Sequence, residues 1–179
     1  MRQTLFLLVL FSCATAFGRI GETALQFVDR YGPPKDTISS KVLDKTCPLL
    51  EGAIQHTYEH QGWRIRAAFL QIDEPAVRMD YSKVPKPGVN ATIQDYEVQA
   101  IMTANTPPGT SWKRFPYSTP DSANDEGMIK LFEACFGGPI GQKMWRRSDG
   151  VLLWMPGPLF VRLELPAFLY EANLKAAKE

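Results

Sequence analysis

The chain is poor in the residues that most often carry chemistry. It has two histidines and three cysteines in 179 residues, and neither charge sign is in surplus, with 20 Lys and Arg against 19 Asp and Glu. Without excess cationic side chains there is nothing to neutralise a phosphate backbone, so nucleic acid is excluded as the expected partner. No apolar run approaches the roughly 20 residues needed to cross a bilayer as a helix. No phosphate-binding glycine loop, dinucleotide fingerprint, nucleophile elbow or defensible carboxylate pair occurs, so the chain carries no expected catalytic residue and no expected cofactor.

What is present begins with an address. Arg2 is followed by the apolar run Thr4 to Phe11 and by the small-x-small site Ala14-Thr15-Ala16, the pattern of a signal peptide spanning residues 1–16. A second reading stays open: Leu10-Phe11-Ser12-Cys13 resembles a lipobox, with Cys13 as the acceptor of a lipid anchor. Release after Ala16 leaves 163 residues with 19 basic and 19 acidic side chains, enough for one sizeable domain or two small ones. The expected location is secreted or periplasmic. Cys47 and Cys135 then remain, and in an exported protein they are candidates for a disulfide. Closing the 88-residue loop between them would contribute about 4–5 kcal/mol on chain-entropy grounds; two buried thiols are the alternative.

Thr23 and Gln26 form a T-x-x-Q capping box. Ala24, Phe27, Val28 and Tyr31 recur at helical spacing, and Gly32-Pro33-Pro34 ends the run. Residues 35–50 read as a loop. From Ile54 the period becomes two: Ile54 to His60, Trp63 to Leu70 and Ala76 to Tyr81 are punctuated by Gln61-Gly62 and by Asp73-Glu74-Pro75, giving a three-stranded antiparallel meander. Residues 82–91 read as a linker that includes the sequon Asn90-Ala91-Thr92. A second helix is expected from a Thr92 cap to Asn105, with Val98, Ile101 and Met102 buried, and a third from near Asn124 to Gly137. Between them lies a Pro- and Ser-rich loop around Trp112. Residues 142–147, 151–155 and 159–165 form a second meander with turns at Asp149-Gly150 and Pro156-Gly157-Pro158, and residues 167–178 a terminal helix.

The expected fold class is therefore α+β, with helices packed on antiparallel β-meanders. It divides into a helix plus meander over 17–81, a linker over 82–91 and a second such unit with a C-terminal helix over 92–179, as one domain or a tandem pair. On Gly21-Glu22-Thr23, Gln26, Tyr31-Gly32-Pro33, the Tyr58 strand and the strand Trp63 to Phe69, residues 21–81 resemble the envelope module of outer-membrane-assembly lipoproteins of the SmpA/OmlA type. The tandem arrangement is similar to that of beta-lactamase inhibitor proteins. The resemblance implies a non-catalytic, protein-binding scaffold of the cell envelope, and it brings no catalytic residue with it.

One short stretch competes with that reading. His56-Thr57-Tyr58-Glu59-His60 has the H-x-x-E-H spacing of a zinc peptidase. On a helix, His56 and His60 would share a face and an ion, with Glu59 as base; Glu97 is the one nameable third ligand. On a strand, the two α-carbons stand roughly 13 Å apart at 3.3 Å per residue, too far for ligands that bind at about 2 Å. The passage into the Trp63 strand favours the strand, hence no metal and no enzyme. An inhibitor-like module that holds a protein partner on a concave sheet face is the first alternative, and a small zinc hydrolase centred on His56, Glu59 and His60 is the alternative from another class. For binding, Trp112 in its loop and Arg64, Arg66 and Arg78 on the outer face of the first meander are the candidate contacts, another protein being the expected partner. The four tryptophans also admit a carbohydrate reading, though alternation places Trp63 and Trp145 in sheet cores.

Overall fold

The computed structural model describes residues 19–39, 53–88, 90–114 and 143–165. The signal segment with Cys13, Cys47 and Cys135, the expected third helix and the terminal helix lie outside these residues.

Helix α1 (Ala24–Tyr31) starts on Thr23, whose backbone N–H donates to Gln26 Oε1 at 2.8 Å while its hydroxyl accepts from Gln26 N at 3.5 Å. It stops at Gly32, which sits at φ +78° and donates its N–H to Val28 O at 2.8 Å, a conformation that costs glycine least. Next come β1 (Asp36–Ile38), β2 (Ile54–His60), β3 (Trp63–Phe69) and β4 (Arg78–Lys83). Gln61 and Gly62 both have positive φ, as the tight β2–β3 turn requires. Helix α2 (Asp95–Ala104) precedes β5 (Trp112–Arg114), β6 (Met144–Arg147), β7 (Leu152–Gly157) and β8 (Phe160–Glu164).

These strands form one eight-stranded antiparallel sheet in the order β1-β2-β3-β4-β8-β7-β6-β5. The fold is thus α+β with sheet predominating. Each meander is a run of sequential neighbours, and the two meet where β4 pairs with β8, Arg78 opposite Glu164 and Asp80 opposite Arg162. Direct opposition puts paired side chains on one face, so register sorts the sheet into two faces.

The first face carries Tyr58, Ile65, Ala67, Phe69, Met79, Tyr81, Leu153, Val161 and Leu163, buried with Ala24 and Phe27 of α1 and Val98, Ile101 and Met102 of α2. Phe27 anchors α1 here, its ring 5.5 Å from Tyr58 and 5.7 Å, edge-on, from Phe69. Burying each such side chain is worth about 1.5–3 kcal/mol, so the sheet, more than helix propensity, holds these short helices.

Five sequence expectations differ from the structure. Asp36–Ile38 is an edge strand on β2, where a loop was expected. Trp112–Arg114 is an edge strand on β6, where a Pro-rich loop was expected. Ser82 and Lys83, expected in the linker, are the end of β4. The cap of α2 is Gln94, with Glu97 at its third position, two residues beyond the expected Thr92. Pro156 lies inside β7, and the register shifts between Trp154 and Gly157 because proline has no N–H to offer the ladder.

Candidate functional site

HTYEH is a strand. His56 and His60 project onto the first face with Tyr58 between them: His56 Nδ1 is 3.1 Å from Tyr58 Oη, and the His60 ring lies 5.4 Å from Tyr31. Burial lowers the His56 pKa, favouring the neutral ring, and pushes the Tyr58 hydroxyl up to about 12. Glu59 is on the other face, bound to Arg64 at 2.9 Å. Glu97 is occupied elsewhere, accepting from Gln94 N at 2.7 Å and pairing with Lys83 at 2.8 Å. Among the described residues no three His, Cys, Asp or Glu side chains are grouped to hold a metal ion.

The charged candidates fall on the second face but in unlike settings. Arg66 is exposed, Arg64 is half-buried in its pair with Glu59, and Arg78 is buried. Arg78 Nε reaches Glu164 Oε1 at 2.9 Å across the β4–β8 seam. One step along the seam the polarity reverses. Arg162 binds Asp80 through both nitrogens, Nε to Oδ1 at 2.6 Å and Nη2 to Oδ2 at 2.9 Å, the fork geometry that makes arginine–carboxylate pairs strong. The Arg162 guanidinium also lies 5.5 Å from the ring centroids of Trp154 and Phe160, within cation–π range. Burial pushes the Asp80 carboxyl up to about 6, opposed by Arg78 and aided by Glu164. Burial raises Glu164 too, with Arg78 and Trp154 pulling it down. The seam is a four-residue ladder of charge closed on itself, with Arg66 beside it, opposite Asp80. Arg78 is therefore a structural pair partner and not an outer-face contact.

Trp112 is corrected likewise. It is half-buried in β5, and its indole N–H donates to Thr106 Oγ1 at 2.8 Å and Met102 O at 3.2 Å. The Arg147 guanidinium lies 5.6 Å from its ring. Arg147, buried, forks onto Asp149 at 2.7 Å through both Nε and Nη2, which with its other bonds holds the Asp149 carboxyl below the usual carboxylate range. Arg147 also donates to Asn105 O.

Asn105, fully buried, is the polar hub of the first face. Its Oδ1 accepts from Ile20 N at 2.9 Å, and its Nδ2 donates to Ile101 O at 2.9 Å and Tyr81 Oη at 3.3 Å. It joins the N-terminal segment, the end of α2, β4 and β6. The sequence marked Asn105 only as a helix end. For the seam a signal was present: Arg78-Met79-Asp80 and Arg162-Leu163-Glu164 share the pattern R-x-acid, and antiparallel pairing sets each arginine against an acid.

A groove of about 690 Å³ opens beside the start of α2, lined by Thr92, Ile93, Gln94, Asp95 and Tyr96 from one side and by Lys143, Met155, Gly157 and Pro158 from the other. Its floor includes buried Ile93 and Met155, while Tyr96 at its edge is 72% exposed and Leu159, next to Pro158, 54%. Lys143 and Asp95 pair across it. Its ionisable lining is that exposed pair and Tyr96.

Among the described residues no helix is long and apolar enough to cross a membrane. No family model matches the chain, and no curated protein matches it in sequence. Among solved structures it is similar to a cysteine-rich secretory protein from Staphylococcus aureus at 9% identity and a TM-score of 0.42. The alignment covers 84% of this chain and 44% of that one, so this chain spans less than half the length of that protein. A likeness of that size carries no argument about function.

Proposed function

We propose that the chain is an exported, non-enzymatic binding or scaffold protein of the cell envelope or extracellular space, built from two tandem helix-plus-meander units. The carrying observation is the state of its charged groups. The buried ionisable side chains of the second face are paired across strands, Arg78 with Glu164 and Asp80 with Arg162, and the open groove is lined by other residues. A catalytic acid or base has to reach a substrate atom, whereas these groups are occupied in holding the sheet together. The tandem reading is supported by the element order, among the described residues one helix and four strands twice over, and by a capping box at each of these helices, Thr23 with Gln26 and Gln94 with Glu97. The residues 1–16 pattern supports export, with Phe17 as the first residue after cleavage.

The test is affinity purification with chemical crosslinking of the protein secreted from its own host, read by mass spectrometry. The expected result is one saturable protein partner at sub-stoichiometric to equimolar ratio, with the chain beginning at Phe17. Turnover of a peptide, ester or glycoside that Asp80→Asn abolishes would overturn the reading.

A further inference from the structure

The groove beside α2 has a filled counterpart in the first half of the molecule. Eight residues, 70–77, connect β3 to β4, and two, 158–159, connect β7 to β8. The longer connection folds back onto the start of α1. Pro75 forms an antiparallel bridge with Thr23, Gly21 N donates to Ala76 O at 3.3 Å, and Ala76 N donates to Glu22 O at 2.8 Å. Ala76 is fully buried there. In the second half the same approach to the helix consists, among the described residues, of one backbone bond, Ile93 N to Pro158 O at 2.8 Å. The short turn leaves Ile93, Met155 and Tyr96 lining open space.

We propose that this groove receives an extended, proline-containing peptide segment of a partner protein, seated against residues 92–96 as Glu74-Pro75-Ala76 is seated against residues 21–23. The proposal rests on the binding-protein reading and names its site. The chemistry of the occupant follows from the intramolecular one. The N–H groups of Thr92, Ile93 and Gln94 already donate, to Asn90 Oδ1, Pro158 O and Glu97 Oε2, so an extended backbone would bond at the Ile93 carbonyl, the match of the Glu22 carbonyl that accepts from Ala76 N. A proline enters with little ordering cost and packs on an aromatic face, here the exposed Tyr96 ring. An acidic residue before the proline, as Glu74 precedes Pro75, meets Lys143, whose present partner Asp95 is itself 80% exposed and so held weakly.

The chain supplies its own probe. A capped synthetic peptide of residues 71–77, Gln-Ile-Asp-Glu-Pro-Ala-Val, is titrated into the purified isotope-labelled protein and followed by amide chemical shifts. The expected result is saturable shifts confined to residues 92–96 and 155–159, with Kd below about 1 mM. Tyr96→Ala, at an exposed position where folding is unaffected, weakens binding about tenfold or more, as loss of an aromatic anchor does, and so does replacing the peptide's proline with aspartate. Absence of saturable shifts at millimolar peptide, or shifts along the β1 and β5 edges instead, would overturn the proposal. If the crosslinked partner maps to Arg64 and Arg66 while the groove stays silent, the groove assignment fails and the binding-protein reading stands.

Discussion

The two meanders share a strand order and differ in what they place on the second face. In the first half that face carries Gln55, Thr57, Glu59, Arg64, Arg66 and Ala68; in the second it carries Lys113, Met144, Arg146, Leu152, Trp154 and Phe160, and the sharpest difference lies next to the seam. Arg66 and Trp154 occupy matching places, opposite Asp80 on β4 and Arg162 on β8 respectively. One is exposed and the other fully buried. The first faces are alike, both apolar and both under a helix. The same strand order thus supports a like first face while the residues beside the seam on the second face differ in burial.

Substitutions at the matching places break this comparison most sharply. Trp154→Ala should cost about 3–5 kcal/mol in urea unfolding, the range for emptying a fully buried tryptophan site, whereas Arg66→Ala should stay within about 0.5 kcal/mol. Equal losses would show that the two halves are not distinguished by burial. At the seam between them, Glu164→Gln leaves Arg78 buried without a counter-charge and should cost about 3 kcal/mol. The double variant Arg78→Met, Glu164→Leu should recover most of that loss, and a double-mutant cycle reads the coupling.

The seam also predicts a pH signature of unusual sign. Folding raises the Asp80 carboxyl from its ordinary range to about 6. Its contribution to stability is therefore fully present below about pH 4 and fades as pH rises through about 6, the reverse of a salt-bridged surface carboxylate. Asp80→Asn should flatten that part of the urea-unfolding profile between pH 4 and 7; an unchanged slope would remove Asp80 as its source. On the shared first face, Asn105→Ala should cost about 2 kcal/mol by stranding buried donors and acceptors, and Asn105→Asp should not restore the loss. Smallest is Arg64→Ala, whose half-exposed pair with Glu59 is worth less than about 1 kcal/mol.

Much of the first half was legible because its strands are long enough to show a period. Ile54–His60 and Trp63–Phe69 have seven residues each, long enough for Trp63, Ile65, Ala67 and Phe69 to alternate with Arg64 and Arg66 in sequence, although Gln55, Thr57 and Ala68 on the other face are buried as well. The α1 box was legible because its bonds are local. The edge strands were not, since three residues at 36–38 or 112–114 cannot display alternation and their pairing depends on a distant neighbour. Trp112 was misjudged for that reason: its partners Met102, Thr106 and Arg147 are brought to it by the fold. The seam is the furthest case, because Asp80 and Arg162 stand 82 residues apart. Their complementary patterns are visible in one sequence only once β4 is known to lie against β8.

The β4–β8 pairing joins the two halves into one sheet, and native-state amide hydrogen exchange tests it directly. If the halves share one sheet, the β4 amides from Arg78 to Ser82 and the β8 amides from Phe160 to Glu164 are central-strand amides and belong to the slowest-exchanging set, opening together. If instead these amides exchange as fast as those of the edge strands β1 and β5, while β2–β3 and β6–β7 protect separately, the seam does not join the halves.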